Sequence, residues 1–207
     1  MLFLRYESFR DYLKYYPVTT LLLFLMIAVH AGIYIASLAT GIPAEEWKVY
    51  FGLFINQPPF NDVDHLWRYV ASIFLHNDFL HLLFNSFTVF VFAPPMERIL
   101  GKIRYLFMFL FAGVIGNVFT NLYPNLVASL GASGAVYGIF GAYLFIALFR
   151  KRLLDDNSRK TLYAMIIVGV IYSVAVPGIN LLAHLGGFIG GFVIVALYSV
   201  FLRGRYV

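Results

Sequence analysis

Long apolar runs separated by short polar turns dominate the pattern of this chain. A run of about 18 or more mostly apolar residues is typical of a membrane-spanning helix. Six such runs cover residues 18–40, 79–96, 103–123, 132–149, 161–177 and 180–202. The pattern therefore predicts an all-α membrane protein built as a bundle of six transmembrane helices.

Two stretches depart from this pattern. Residues 1–17 mix basic with aromatic side chains, which predicts a short amphipathic, cytoplasmic segment at the membrane surface. Residues 41–78 contain three prolines, five acidic residues and both tryptophans, which indicates a long interfacial loop between spans one and two. Residues 18–203 are thus predicted to form one six-helix domain, followed by a cytoplasmic tail of residues 204–207.

Composition and charge agree with a membrane location. Hydrophobic residues make up 61% of the 207 residues and charged residues only 12%, too few to cover a soluble domain. The absence of cysteine excludes thiol catalysis, disulfides and thiolate metal sites. Of the 15 Lys and Arg residues, 13 fall on one side of the predicted membrane, which places both termini in the cytoplasm. The net charge of +5 therefore reflects topology, and no nucleic-acid partner is predicted.

Ser133 is the most informative polar residue within the apolar runs. It lies in the small-residue stretch 130–138, at the predicted start of span four. A serine at a helix N-terminus is well placed to attack a carbonyl, because free backbone N–H groups and the helix dipole stabilise an oxyanion there. Packing seams of membrane helices have the same composition, and this is the alternative interpretation.

The predicted topology brings further polar residues to the depth of Ser133. Spans two, four and six all begin on the outer face, and they open with His81 and Asn85, with Ser133, and with His184. Polar groups are costly against lipid, so we expect these side chains to converge inside the bundle. Both histidines are candidate bases for the serine. His81 and Asn85 share one side of span two, where they can hold an oxyanion.

Small residues recur on spans four and six, which predicts close packing of these two helices. The stripes comprise Gly134 and Gly138 on span four and Ala183, Gly187 and Gly191 on span six. Such an approach would let the short serine side chain touch a histidine.

Other chemistries fit the sequence less well. A metal site formed by His76, His81 and His184 is disfavoured, because the chain has no metal-binding motif and no carboxylate within the spans. The lack of carboxylates also argues against an aspartyl protease and a small transporter. His30, His65 and His76 are interpreted as structural residues, and no metal or cofactor is predicted.

Taken together, the motifs resemble those of the rhomboid family of intramembrane serine proteases. The resemblance extends over most of the chain, and its specificity comes from the order of the motifs on a six-span scaffold. They are Trp67-Arg68, His76, His81-Leu82-Leu83-Phe84-Asn85, Glu97-Arg98 with Gly101, Gly131-Ala132-Ser133-Gly134 with Tyr137, and Ala183-His184 with Gly187 and Gly191.

The resemblance implies a catalytic Ser–His dyad without a triad carboxylate. Ser133 would be the nucleophile and His184 the general base and then acid. The Ser133 backbone N–H, with the side chains of His81 and Asn85, would form the oxyanion site.

The resemblance also implies roles for residues around the dyad. Tyr137 and Gly131 would support it, and Trp67 and Arg68 would anchor the first loop in the outer leaflet. Span five, with the loop that follows it, would act as a lateral gate. One departure from the family pattern is Ala93-Pro94-Pro95, where proline is expected to stop or kink span two.

The function that follows is cleavage of peptide bonds in or next to transmembrane segments of membrane-protein substrates. The expected location is the plasma membrane, most simply of a bacterium, with the active site opening to the outer face. The alternative is a non-proteolytic rhomboid-like protein that binds membrane clients. The presence of all four dyad and oxyanion residues favours the enzyme, and the oligomeric state stays open.

Overall fold

The computed structural model describes residues 2–4 and 6–201. The predicted tail 204–207 and the end of the predicted domain at 203 lie outside these residues. The described part contains the helices α1 Phe9–Tyr15, α2 Pro17–Thr40, α3 Ala44–Tyr50, α4 Arg68–Ala71, α5 Phe79–Leu100, α6 Lys102–Thr120, α7 Ser133–Phe149, α8 Asp156–Ala175 and α9 Leu181–Phe201. Two short strands, β1 Phe54–Ile55 and β2 Ala128–Ser129, pair antiparallel.

The predicted all-α membrane bundle is confirmed. Within the described residues, α2, α5, α6, α8 and α9 are long and apolar enough to cross a membrane, and α7 is a shorter apolar helix. These six helices correspond to predicted spans one to six in order. The 17 residues of α7 extend about 25 Å. This is less than the roughly 30 Å of a bilayer core, so at least one end of α7 lies within the hydrocarbon layer.

Helix α7 forms the centre of the bundle. It packs between α6 and α9 and is buried on nearly all sides, with Ala135, Ile139, Ala142 and Tyr143 fully enclosed. Helix α8 is the least buried of these helices, since only Ser158, Leu162 and Ser173 are buried along its 20 residues. The bundle thus has a dense three-helix core and a loosely attached fifth span.

The prolines of span two were predicted to stop or kink the helix, and they do not stop it. Helix α5 continues through Pro94 and Pro95 to Leu100. A proline lacks the N–H that would bond the carbonyl four residues earlier, which for Pro94 is the Phe90 carbonyl. The Tyr12 hydroxyl of α1 donates to that carbonyl over 3.1 Å and replaces the missing bond. Tertiary hydrogen bonding therefore carries the helix past the prolines.

Two other span boundaries differ from prediction by more than two residues. Span five begins at Asp156 and not at 161, because the Asp155 side chain caps the helix by accepting the Ser158 N–H over 3.0 Å. Span three ends at Thr120 and not at 123. Hydropathy marks where a helix can enter lipid, and capping marks where the helix itself begins.

The interfacial loop 41–78 is organised around the buried side chain of Arg68. Arg68 is 6% exposed and donates to the carbonyls of Val49 and Leu53 over 2.7 and 3.1 Å. Its guanidinium lies 4.7 Å from the centre of the Trp67 ring, and that ring is itself half exposed. Strand β1 of this loop pairs with β2, which directly precedes the segment that carries Ser133. The loop is thereby tied to the start of α7.

Candidate active site

Ser133 and His184 meet at the ends of two adjacent helices. Ser133 is the first residue of α7, and His184 lies in the first turn of α9. The Ser133 Oγ lies 2.9 Å from the His184 Nε2, within hydrogen-bonding distance. His184 is only 5% exposed, so the contact is sheltered inside the bundle.

The small-residue stripes of α7 and α9 face each other. A Cβ atom on Gly187 would collide with the Gly134 carbonyl oxygen, and one on Gly191 would collide with the Gly138 carbonyl oxygen. The Ala183 carbonyl lies against Gly134 of α7, and it lies still closer to α6. Backbone-to-backbone contact of this kind brings the first turns of the two helices close enough for the short serine to reach the histidine.

Tyr137 lies one turn after Ser133 and covers the histidine ring. The rings of Tyr137 and His184 are 4.1 Å apart and 11° from parallel. The Tyr137 hydroxyl donates to the Gly169 carbonyl of α8 over 2.6 Å. The tyrosine therefore restrains the imidazole by stacking while its far end contacts the fifth span.

Gly131 and His81 lie in close contact next to Ser133. Gly131 has a φ of +114°, and a Cβ there would lie 2.7 Å from the His81 Nε2. Glycine is thus required both by the backbone conformation and by the contact. The Asn77 N–H points at the His81 Nδ1 over 3.4 Å, so the ring proton is assigned to Nε2. That N–H faces the turn before Ser133 and is available as a donor.

Asn85 lies one turn below His81 and is 6% exposed. Its side-chain amide donates to the His81 backbone carbonyl over 3.0 Å. Because an amide NH₂ carries two hydrogens, one remains for a further acceptor. His81 and Asn85 therefore present donors on the same side of α5.

His76 supports the turn from the opposite side. It is fully buried, and its Nε2 accepts the Ala132 N–H at 3.5 Å, next to the Ser133 peptide. Burial, with a smaller effect of nearby His81, lowers the pKa of His76 to about 3. The ring is therefore neutral at physiological pH, and its lone pair stays free to accept. The interpretation of His76 as a structural residue matches this position.

The start of α5 carries a fixed charge beside these histidines. The Asp78 side chain accepts the His81 backbone N–H over 2.9 Å as the helix cap. That hydrogen bond is the main reason why the pKa of Asp78 lies below its usual range. An ionised carboxylate thus lies at the start of the helix that carries His81 and Asn85.

Asn117 of α6 was not among the residues predicted from the sequence, although it organises the turn. Its amide donates to the Tyr69 carbonyl and the Ser72 hydroxyl over 2.9 and 2.8 Å, and its oxygen accepts from Ser129 over 2.9 Å. The Ser72 carbonyl in turn accepts the Gly131 N–H over 2.9 Å. The sequence did contain a signal for this role, because a polar asparagine is costly within the apolar run of span three.

Ser173 of α8 was also missed. Its Oγ lies 2.7 Å from the His184 Nδ1, the ring nitrogen on the far side from Ser133. The only signal in the sequence was a single serine within the apolar run of span five, 11 residues before the histidine. In the part of the chain that the structure describes, no three His, Asp or Glu side chains form a group able to hold a metal ion.

Comparison with known proteins identifies the family of this chain. The model of the rhomboid domain matches residues 63–201. A Bacillus subtilis protein named "Putative rhomboid protease YdcA" is 34% identical over 99% of this chain and 100% of its own length. The rhomboid protease GluP of the same organism is 33% identical over 68% of this chain, which covers 27% of GluP. RHOMBOID-like protein 4 of Arabidopsis thaliana is 33% identical over 63% of this chain and 34% of its own length. This chain belongs to the rhomboid family.

Proposed function

We propose that this chain is an intramembrane serine endopeptidase that cleaves peptide bonds in or next to transmembrane segments of other proteins. The observation that carries the proposal is the 2.9 Å contact between the Ser133 Oγ and the His184 Nε2 at the N-terminus of α7. The family membership and the names of the two Bacillus subtilis relatives support a protease. The proposed dyad and oxyanion site are supported by the contacts of Ser133, His184, His81 and Asn85 and by the resemblance to the family.

The chemistry runs through an acyl-enzyme. The Ser133 Oγ attacks the substrate carbonyl carbon while its proton passes to the His184 Nε2. The tetrahedral intermediate collapses, the C–N bond breaks, and His184 gives that proton to the departing nitrogen. A water molecule then loses a proton to His184 and attacks the ester. The carboxylic acid product leaves, and Ser133 regains its proton.

The oxyanion is stabilised by donors that surround the turn before α7. The Ser133 N–H belongs to the first turn of the helix, where backbone N–H groups have no intrahelical acceptor. The His81 Nε2–H and the second amide hydrogen of Asn85 add side-chain donors from α5. Donors fixed in place before reaction stabilise the developing charge most effectively.

Access for water and substrate follows from the proposed topology. With both termini in the cytoplasm, Ser133 lies toward the outer face of the membrane, most simply the plasma membrane of a bacterium. Residues 1–17 then lie on the cytoplasmic surface, and the site around Ser133 and His184 opens outward. The loosely packed α8 is the natural side for entry of a substrate helix, which must unwind locally because all its backbone groups are already hydrogen-bonded.

The absence of cysteine makes the topology directly testable. Asp64 in the interfacial loop and Lys151 in the turn after α7 are both exposed and can each be replaced by cysteine. A thiol reagent that cannot cross membranes should label Asp64→Cys in intact cells and Lys151→Cys only after permeabilisation. The reverse pattern would overturn the proposed orientation.

The decisive experiment compares purified wild-type protein with Ser133→Ala in liposomes that contain a single-span reporter substrate. We expect cleavage by the wild type and none by the variant, with equal thermal stability of the two proteins. Equal cleavage by both would exclude Ser133 as the nucleophile. Binding of several substrates without cleavage by either would favour the client-binding alternative.

A further inference from the structure

The catalytic histidine lies between two serines. The Ser133 Oγ is 2.9 Å from its Nε2, and the Ser173 Oγ is 2.7 Å from its Nδ1. Ser173 is 4% exposed and belongs to α8, whereas His184 and Ser133 belong to the tightly packed α9 and α7. The second contact therefore reaches the dyad from a third helix, at the ring position where a serine-protease triad places its orienting group.

The contacts around Ser173 are compatible with one arrangement of hydrogens in which its hydroxyl donates away from His184. Its hydroxyl lies 2.8 Å from the Gly169 carbonyl, one turn earlier on α8, which is the usual acceptor for a serine within a helix. The Tyr137 hydroxyl lies 2.6 Å from the same carbonyl and 2.7 Å from the Ser173 Oγ. The Gly169 carbonyl has two lone pairs, so it can accept both hydroxyl hydrogens, those of Ser173 and Tyr137. A lone pair of the Ser173 Oγ is left to accept from His184.

We propose that Ser173 is a positioning residue that accepts the His184 Nδ1–H and thereby fixes the tautomer of the catalytic histidine. With the proton on Nδ1, the Nε2 lone pair faces the Ser133 hydroxyl and can take its proton. The opposite tautomer would present an N–H to Ser133 and could not act as a base. This inference rests on the proposed serine-protease function of the same site.

The same contact remains useful after proton transfer. When His184 is doubly protonated, its Nδ1–H still needs an acceptor in a buried site, and the Ser173 Oγ supplies one. A neutral hydroxyl stabilises the imidazolium less than a carboxylate would, and it can be placed within a membrane helix at much lower cost. The residue thus performs the orienting task in a form that suits the surroundings of α8.

The test uses the full-length protein in liposomes and compares Ser173→Ala and Ser173→Thr with wild type. We expect Ser173→Ala to lower kcat about ten-fold, the rate equivalent of one hydrogen bond, with KM unchanged. Ser173→Thr keeps the hydroxyl and should recover most of the activity. The matched control is Ser199→Ala, because the Ser199 hydroxyl also bonds to a carbonyl of its own helix, that of Ala196 over 2.9 Å, at the end of α9 opposite His184. It should behave like wild type.

A second readout does not depend on cleavage. Nitrogen NMR of ¹⁵N-histidine-labelled protein, with His184 identified by a His184→Asn variant, reports which ring nitrogen carries the proton. We expect Nδ1–H in wild type and a loss of that preference in Ser173→Ala. A protonated Nε2 in wild type would overturn the inference, even if Ser173→Ala proves too unstable to study. So would a Ser173→Ala protein that loses stability but keeps wild-type kcat. Nδ1–H in a protein that cleaves no substrate would instead count against the proposed function alone.

Discussion

The contact between α7 and α9 and the attachment of α8 represent two extremes of packing in one bundle. Along the first, glycine backbones touch so closely that Cβ atoms on Gly187 or Gly191 would collide with carbonyl oxygens of α7. Along α8, most apolar side chains are exposed, and Ser173 is the buried residue near the dyad. We call the first region the glycine seam, defined by Gly134, Gly138, Gly187 and Gly191.

Under the proposed function, the difference separates two requirements of a protease that works inside a membrane. The nucleophile and the base must keep a separation near 3 Å, and backbone contact along the glycine seam cannot be varied without moving whole helices. A substrate helix must also reach them from the lipid, which requires a side of the bundle that moves easily. The seam holds the dyad at a fixed separation, which meets the first requirement. Helix α8 contacts the site through polar groups and is loosely packed, which meets the second.

The largest expected effect comes from breaking the glycine seam. Gly187→Ala places a methyl group against the Gly134 carbonyl, and backbone atoms cannot yield as a flexible side chain would. Separation of α7 and α9 should cost about 1–3 kcal/mol of stability. A shift of about 1 Å at the dyad is sufficient to lower kcat about 100-fold. Thermal melts and liposome cleavage measure the two effects.

The control for this substitution is Gly32→Ala on α2. A Cβ on Gly32 meets nothing within 4 Å, so the same chemical change is made without a collision. Since alanine favours helix by about 1 kcal/mol over glycine, stability should hold or rise and activity should not change. If Gly187→Ala and Gly32→Ala behaved alike, the seam would not determine the geometry of the dyad.

The next effect concerns pH and the turn that connects the interfacial loop to the seam. His76 has a pKa of about 3 in the folded protein, against an ordinary value of 6.5. Between these values the unfolded chain binds one more proton than the folded one. His76 therefore contributes stability that is full above pH 6.5 and is lost, at up to about 1.4 kcal/mol per pH unit, as the pH falls toward 3.

The measurement is the thermal midpoint of wild type and His76→Gln between pH 7 and pH 4.5. We expect the variant to be less stable at pH 7 but to lose less stability on acidification. Parallel pH profiles for the two proteins would show that His76 does not stay neutral in the folded turn.

Much of this architecture could be predicted from the sequence because lipid imposes simple rules. A long apolar run has few alternatives to a spanning helix, so the bundle and its order of spans followed from hydropathy. The approach of α7 and α9 followed from small residues at four-residue spacing. Placing Ser133 and His184 at similar depth required only the topology, and the structure brings them within 2.9 Å.

What could not be predicted depends on individual hydrogen bonds between distant segments. The prolines of α5 are tolerated because Tyr12, 78 residues before Phe90, supplies a donor to its carbonyl. Ser173 gains its position from the rotation of α8 about its own axis, which hydropathy does not determine. Strands of two residues, such as β1, carry no periodicity at all. Each of these features depends on which partner happens to lie opposite.

A smaller effect is expected at the other end of the bundle, far from the dyad. Glu97 of α5 is 2% exposed and accepts the backbone N–H groups of Val18 and Thr19 over 3.0 and 2.8 Å, which caps the start of α2. Glu97→Gln should lower stability by about 1–3 kcal/mol. Cleavage per folded molecule should not change. Glu46→Gln, at an exposed position of α3, is the control and should alter neither quantity. A fall in kcat for Glu97→Gln would mean that this end of the bundle is coupled to the seam.

The smallest expected effect distinguishes the role of the Tyr137 ring from that of its hydroxyl. Its ring stacks on His184 beside the seam, while its hydroxyl bonds to the Gly169 carbonyl of α8. Tyr137→Phe removes only the hydroxyl contacts with α8, those with the Gly169 carbonyl and the Ser173 Oγ, and should lower kcat roughly two- to five-fold. Tyr137→Ala also removes the stacking and should be clearly worse. Equal kcat for Tyr137→Phe and wild type would show that α8 contributes nothing through the tyrosine. Equal losses for the two variants would assign the whole role to the hydroxyl, and the dyad would then depend on α8 more than on the seam.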